Sequence, residues 1–487
     1  AFDWKAQGEF LPLIWIDEGH TNYPGPAFGL PSYVGATRAN DQDHESITTL
    51  GAVLGATLVG IDKSRQDYDY VAMAEAYYNT ANGQNLVLNR VSTTTGGTFW
   101  FELFQQMVFY ALVDKYPRHE RLTEIMRATA RRWGQAVDGL AGDFDHLSFN
   151  FYTMKPSDNG VFTEPDSAAG LGWLEFVAWE KFQDPAFLTW ADQCMAYLDA
   201  REVNPYYEAL LPWGALVAAR MNAELGRDYD VPKLVNWCFG PSPTRGGWGV
   251  VLGRWGGYDA AGLVGSVDNR GGYAFAMNTF NQAAALTPVV RYDTRFAWAL
   301  GKWMLNLANS ARLFYPDQFP PDLQENWDWT GDSAHCIAYE GLRYELNGKQ
   351  PFGTGDPVLM TDLGLYGSSY VGLLAALIHR TSDQRILALD CLATDFFHPQ
   401  AYPTYLIYNP YGEVHEVEFA VGQASCDLYD AATGQWLGKG QSGQARFSIG
   451  PDRAVVLVLA PAGAKLTIEG KRLLADGVVV DWDTSEP

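Results

Sequence analysis

The stretch FTEPDSAAGLGWLEFVAW, residues 162–179, decides the fold. A polar loop opens a segment that is apolar or small on nearly every side, and a helix of that character has to be buried all round. The pattern recurs at 45–60 (ESITTLGAVLGATLVG), 97–114 (GTFWFELFQQMVFYALVD) and 206–222 (YYEALLPWGALVAARMN). It returns at 271–288 (GGYAFAMNTFNQAAALTP) and 364–378 (GLYGSSYVGLLAALI). None of these reaches the roughly 18 uninterrupted apolar residues of a membrane span.

Between them lie segments of a different kind, at 68–79, 118–138, 185–199, 227–238 and 293–314. In the second of these, Leu122, Ile125, Met126, Trp133 and Val137 recur at three- and four-residue steps with Arg and Glu between them, the stripe of a helix lying on a core. By contrast, only Glu102 carries a charge between Thr98 and Val113. The alternation predicts a mainly α architecture over 1–399, an inner ring of helices inside an outer ring. The polar loops opening the inner helices would then converge on one mouth. Six hairpins are expected. Residues 332–345 also read as a helix and no striped partner follows 364–378, so a seventh hairpin or an incomplete ring stays open. The first 40 residues hold Pro and Gly too often for a helix and read as an extended segment wrapping the barrel. The glycine-dominated stretch 240–272 reads as one long functional loop, with Trp248, Trp255 and Tyr258 beside Arg245, Arg254 and Arg270.

From about residue 400 the period falls toward two. TYLIYNP, EVHEVEFA, CDLYDAA, ARFSIG, RAVVLVLAP and AKLTIEG are short, β-branched or aromatic, and separated by turn residues. Residues 400–487 are therefore expected to form a separate antiparallel β-sandwich, structural in role.

Composition narrows the function. Lys and Arg number 34 against 57 Asp and Glu, a formal charge of -23, and such a field repels nucleic acid. With no membrane span either, the remaining partner is a small or polymeric ligand. The five cysteines show no C-x-x-C pair and read as buried free thiols; the eight histidines show no metal-binding spacing. No metal or cofactor is expected. The sequence starts at Ala1, which fits a secreted or periplasmic protein as well as a trimmed chain. Oligomeric state is not legible.

Inner apolar helices opened by polar loops, 17 Trp, 26 Tyr and a C-terminal β region resemble the (α/α)6-barrel carbohydrate-active enzymes, inverting glycoside hydrolases and polysaccharide lyases among them. The phrases YLIYNPYGEVHEVEF and LYDAATGQWL are similar to the accessory β-domains of glycosidases. The resemblance implies a toroid of six helical hairpins acting on a poly- or oligosaccharide. Fold alone does not assign chemistry, so the residues have to.

Glycoside hydrolysis needs two carboxyl groups flanking the scissile bond, one of them held protonated by burial or a neighbouring charge. Carboxyls at the mouths of apolar helices meet that need. Glu164 and Asp166 bracket Pro165 where 165–179 begins; a capping role for Asp166 is the alternative. Glu208 opens the fourth inner segment beside Tyr206 and Tyr207, and Asp41, Asp43, His44 and Glu45 open the first. Glu164, Asp166, Glu208 and Asp43 are the catalytic candidates. Glu102, Asp268, Asp362 and Tyr366 are candidates for binding substrate, with Trp248, Trp255 and Trp327 as platforms for sugar rings. A lyase would instead need a cation for a uronate and a Tyr or His base, which Arg270, Tyr273 and His44 could supply. A non-catalytic glycan-binding protein is the third reading.

Overall fold

The computed structural model describes residues 2–10, 15–16, 28–35, 45–89, 95–267, 272–318, 320–325, 327–354 and 363–485. Its helices are α1 (Trp4–Phe10), α2 (Ser46–Leu58), α3 (Tyr70–Met73), α4 (Phe99–Lys115), α5 (Glu120–Leu140), α6 (Ser167–Phe182) and α7 (Pro185–Ala200). They continue with α8 (Leu211–Leu225), α9 (Val231–Phe239), α10 (Ala276–Leu286), α11 (Val289–Tyr292), α12 (Ala297–Ser310), α13 (Leu365–Ser368) and α14 (Val371–Leu377).

The helices expected to be apolar on every side are buried on every side. In α2 every residue from Ser46 to Ala56 is buried, and in α6 every residue from Ser167 to Ala178. The striped α5 buries Leu122, Ile125, Met126, Trp133 and Val137 and leaves its charged residues out. Helix α2 packs on α4, α4 on α6, α6 on α8, α8 on α10, α10 on α14, and α14 back on α2. This closed circuit is covered from outside by α5 and α7 against α6, α9 against α8, and α1 against α14. Local chemistry fixes two of the outer starts. Asp184 and Asp230 each accept the backbone N–H of a first-turn residue, with Pro185 and Pro232 in the positions where a missing N–H costs nothing.

The circuit closes where two glycines meet. A Cβ on Gly372 would lie 2.3 Å from both the Cα and the carbonyl oxygen of Gly55, so α2 and α14 touch backbone to backbone. Just before α14, the Tyr370 hydroxyl donates to the Ile47 carbonyl at 2.5 Å. At the opposite end of the inner helices, buried Arg220 donates to Glu224 (2.9 Å) and to the carbonyls of Phe396 (2.9 Å) and Phe397 (3.2 Å). Arg291 and Tyr292 hold Asp395 beside them at 2.9 and 2.7 Å. These bonds tie the helical body to the segment between the second and third strands of the C-terminal sheet.

Several expectations are corrected. The N-terminal region is not extended throughout: Trp4–Phe10 is a helix, and it supplies the outer cover of α14 that 364–378 lacked in sequence. Residues 332–345 form no helix; Gly341–Arg343 is a strand. The stretch 240–272 is not a loop but supplies the strands Trp248–Val250, Arg254–Trp255, Tyr258–Asp259 and Val264–Ser266. The first and last of these join Tyr273–Phe275, Gly341–Arg343 and Phe352–Thr354 in a five-stranded antiparallel sheet that runs directly into α10. Glycine frequency misled because the strands here are only two or three residues long.

In the C-terminal part, six antiparallel strands form one sheet, whose first two strands, Ile378–Arg380 and Leu387–Asp390, precede residue 400. Register shifts between Ala420 and Tyr429 bend its long hairpin. Val417, Phe419, Ala445 and Phe447 thereby share a buried cluster with Ile407, Leu428 and Leu457 of the same sheet. A three-stranded sheet over 466–481 follows. All five cysteines are free and buried. Among the described residues no helix is long and apolar enough to cross a membrane.

Two outcomes follow for stability. Gly372→Ala places a methyl group against backbone that cannot rotate away, and overpacking of this kind costs about 1–3 kcal/mol or more; the denaturant midpoint is expected to fall with the m-value unchanged. Glu175, fully buried in α6, has neither carboxyl oxygen hydrogen-bonded, and burial drives its pKa well above the usual carboxylate range. Glu175→Met removes an unsatisfied polar group worth about 1–3 kcal/mol, so the same titration should show a gain, larger at pH 8 than at pH 4.

Candidate active site

The mouths of four successive inner helices are hydrogen-bonded to one another through carboxyl groups. At α4, Glu102 turns back and its Oε1 accepts the N–H groups of Gly96 (2.7 Å) and Gly97 (2.9 Å). Glu164, ahead of α6, reaches sideways, and its Oε2 accepts the Trp100 N–H of α4 at 3.0 Å. Asp166 occupies the N-cap position of α6 but makes no capping bond. Its Oδ2 accepts the Tyr207 N–H at 3.1 Å, linking α6 to the loop before α8. Glu208, in that same loop, accepts the Asn278 side-chain amide of α10 at 3.0 Å. Capping was the sequence alternative for Asp166, and the geometry excludes it.

One cation enters this chain of acids. Arg245 forms an ion pair with Glu164, and its guanidinium lies between the rings of Phe162 (3.7 Å) and Tyr207 (3.6 Å). Both Arg245 (φ 41°) and Glu208 (φ 57°) hold left-handed backbone conformations. That region is uncommon for residues with a side chain and concentrates at functional sites. Here it aims two side chains into one cluster.

Burial dominates the electrostatics. Glu164 and Asp166 have no solvent exposure, whereas Glu208 keeps 7% and Glu102 5%. Burial pushes Glu102 up to about 8 against the pull of the two glycine N–H groups, and the Glu164 charge adds to the rise. Burial also lifts Glu164 to about 7 despite the Trp100 N–H and Arg245. Glu208 rises to about 7 by burial, offset by Asn278, the Tyr207 hydroxyl and Arg245. Asp166 is driven well above its usual range by burial and then by the charge of Glu164. Four carboxyls that resist ionisation at one mouth are the arrangement acid–base chemistry requires. Several polar atoms of the cluster remain open: Glu102 Oε2, Asp166 Oδ1, Asn278 Oδ1 and Trp248 Nε1 are buried with no hydrogen-bond partner among the described residues.

An aromatic row borders the acids. Trp248 meets Tyr207 edge-on at 5.5 Å, Phe275 lies 6.1 Å from Trp248, and Tyr273 lies 5.2 Å from Phe275. The Tyr273 ring covers Gly341, with the Arg343 guanidinium 4.7 Å away. On the far side, Glu45 at the start of α2 accepts Ser32 Oγ (2.8 Å) and the Asn89 amide (2.7 Å). Tyr33 stacks on Tyr366 (6.4 Å, 15°) and donates to Glu340 at 2.9 Å. Tyr366 is buried and feels the charges of Glu45, Glu208 and Glu340, which places it between the two sides.

The structure therefore brings together Glu102, Glu164, Asp166, Glu208, Trp248 and Tyr366, with Tyr273 at the end of the aromatic row. Trp255 is buried against Tyr344 (5.9 Å) instead, and Trp327 is exposed with nothing among the described residues tying it to the carboxyls. Asp43, His44, Asp268, Arg270 and Asp362 lie outside the described residues. Sequence reasoning named Arg245 only as a member of the 240–272 stretch, because nothing local shows that it pairs with Glu164, 81 residues away. Glu340 was missed because 332–345 was read as helix. Among the described residues no three His, Cys, Asp or Glu side chains group to hold a metal ion.

No known protein-family description matches the chain, and no curated protein matches its sequence. Among solved structures it is similar to Ara127N-Se, a GH127 β-L-arabinofuranosidase from Geobacillus stearothermophilus T6, at 11% identity and a TM-score of 0.34 over 89% of this chain and 75% of that one. It is also similar to a GH127 β-arabinofuranosidase at 9% identity and a TM-score of 0.39 over 93% of this chain and 77% of that one. At that level of likeness neither enzyme lends this chain a substrate or a mechanism.

The raised pKa of Glu102 has a direct consequence. A Glu of the unfolded chain titrates near 4.3, so the folded state holds this proton more tightly. The stability it contributes is intact below about pH 4, declines as pH rises from there, and is lost above about 8. Glu102→Gln removes that dependence. Its thermal midpoint should pull away from that of the wild type, upward, as pH is raised from 5 to 9.

Proposed function

We propose that the chain is a glycoside hydrolase of (α/α)6-barrel architecture acting on a poly- or oligosaccharide through a pair of carboxyl groups, by inversion. The observation that carries the reading is the line of hydrogen-bonded, hard-to-ionise carboxyls joining the mouths of α4, α6, α8 and α10.

Glu208 serves as the general acid. It retains solvent exposure that Glu164 and Asp166 lack, its bonded donor Asn278 is neutral, and its pKa of about 7 keeps a proton available near neutrality. In the circuit of inner helices, α2 lies three steps from α8 in either direction. Glu45, which precedes α2, is thus on the opposite side of the mouth, and the acidic group it belongs to in sequence, Asp43 included, is taken as the source of the base for water. Two carboxyls facing each other across a sugar ring is the geometry an inverting hydrolase needs. Trp248 and Tyr207 offer rings against which the C–H face of a sugar can rest, and Asp166 and Glu164 act through Glu208 rather than on substrate. The hydrogen-bonded amide and hydroxyl groups around the site suit an uncharged sugar.

A panel of glycans digested with the protein tests the reading. Hydrolysis releases new reducing ends without ultraviolet absorption, whereas a lyase leaves a conjugated unsaturated sugar and a binder yields neither. On any glycan cleaved, Glu208→Gln should lose about 10²–10⁴-fold in rate while folding normally, and Tyr273→Phe should be milder. The reverse order, with absorbing product, would establish β-elimination by Tyr273.

A further inference from the structure

We propose that Arg245 is a positioning residue: by pairing with Glu164 it fixes which carboxyl of the cluster carries the negative charge, and so leaves the proton on Glu208. The proposal rests on the reading of Glu208 as the acid and adds the device that keeps it one.

The geometry is specific to one carboxyl. Arg245 bonds Glu164 and is clamped between Phe162 and Tyr207, so its fork cannot swing to another acid without leaving both rings. Planar guanidinium stacked on aromatic faces is the arrangement Lys reproduces least well. Glu164 has both oxygens occupied by N–H donors, one from Arg245 and one from Trp100, and donors on both oxygens favour the ionised form. Glu208 receives its bond from a neutral amide. Asp166 accepts the Tyr207 N–H on Oδ2 and has no hydrogen-bond partner for Oδ1 among the described residues, so it has no cation to hold it ionised.

The groups acting on Glu164 from the surrounding elements are Glu102 of α4, Asp166 at the start of α6, Tyr207 and Glu208 before α8, and Arg245 before the strand at 248. Among the described residues only the last is a cation. A cluster of four buried carboxyls with one paired cation is close to neutral when a single carboxylate has formed, and that carboxylate is the one in contact with the cation. A second ionisation then works against the charge already present on Glu164, as the Glu208 and Asp166 shifts both reflect. Removing Arg245 removes the preference: Glu164 is left with the Trp100 N–H alone, and Glu208, which keeps its bond from Asn278, is then the first to lose its proton.

Titration of the full chain labelled with ¹³C at the glutamate carboxyl carbon reads this directly, with no substrate. The Glu164 and Glu208 resonances are assigned by their loss in Glu164→Gln and Glu208→Gln. The expected result in the wild type is that Glu164 ionises at lower pH than Glu208. In Arg245→Met the order inverts, with the proton affinity of Glu164 rising at least tenfold, while Arg245→Lys, which retains the charge, keeps the wild-type order. Glu208 ionising first in the wild type would overturn the proposal, and that measurement needs no variant to fold. An unchanged Glu164 titration in folded Arg245→Met would overturn it too, because a purely structural role moves the thermal midpoint and leaves the titration alone. The hydrolase reading fails separately: if Glu208→Gln cleaves glycans at the wild-type rate, the acid lies elsewhere although the titration order stands.

Discussion

A helix with no polar face has nothing to offer water, and six such helices in one chain leave few arrangements open. Each must be covered on all sides by others, so they pack in a closed circuit and take a second layer outside. Everything else in the molecule follows from keeping that circuit shut. The tightest constraint sits between Gly55 and Gly372, where α2 and α14 meet with no side chain between them. Because neighbouring inner helices touch, the segments that open α4, α6 and α8 lie side by side, and carboxyls that are far apart in sequence come within hydrogen-bonding reach of the next helix.

The same burial that stabilises the helices governs the chemistry of their mouths. Glu164, Asp166 and Glu208 were placed by their backbone at the rim of an apolar wall, where ionisation is opposed by desolvation and by one another. Neutral donors such as Asn278 and the glycine N–H groups soften that penalty without cancelling it, and the one charged donor among the described residues, Arg245, is held between two rings. The packed inner helices and the set of proton-holding acids are therefore one feature seen at two scales.

Much of this was legible from residue pattern. The burial of α2, α4, α6, α8 and α10 followed from the absence of a polar stripe, and the convergence of Glu164, Asp166 and Glu208 followed from their standing just before such helices. What escaped was of three kinds. Strands of two or three residues around 248–266 are too short to show an alternating period, so two strands of the five-stranded sheet passed for part of a glycine-rich loop. Long-range substitution also leaves no local trace: nothing near 364–378 announces that its outer cover is Trp4–Phe10 from the other end of the sequence. Glu340 was lost for a third reason, since DSAHCIAYEGLRYE has a helical period that pairing with neighbouring strands overrides.

The bond from Tyr370 to the Ile47 carbonyl spans 323 residues, and that distance has a meaning in time. Contacts so remote along the chain are the slowest to form. At a synthesis rate of about 5–20 residues per second, the ribosome needs on the order of tens of seconds to deliver the partner of α2 after α2 itself has emerged. Throughout that interval the newborn protein is an open arc rather than a ring, with apolar helix faces at both of its ends. Sheltering those two faces until the arc can close is a demand that this architecture places on the cell that makes it, before any substrate is met.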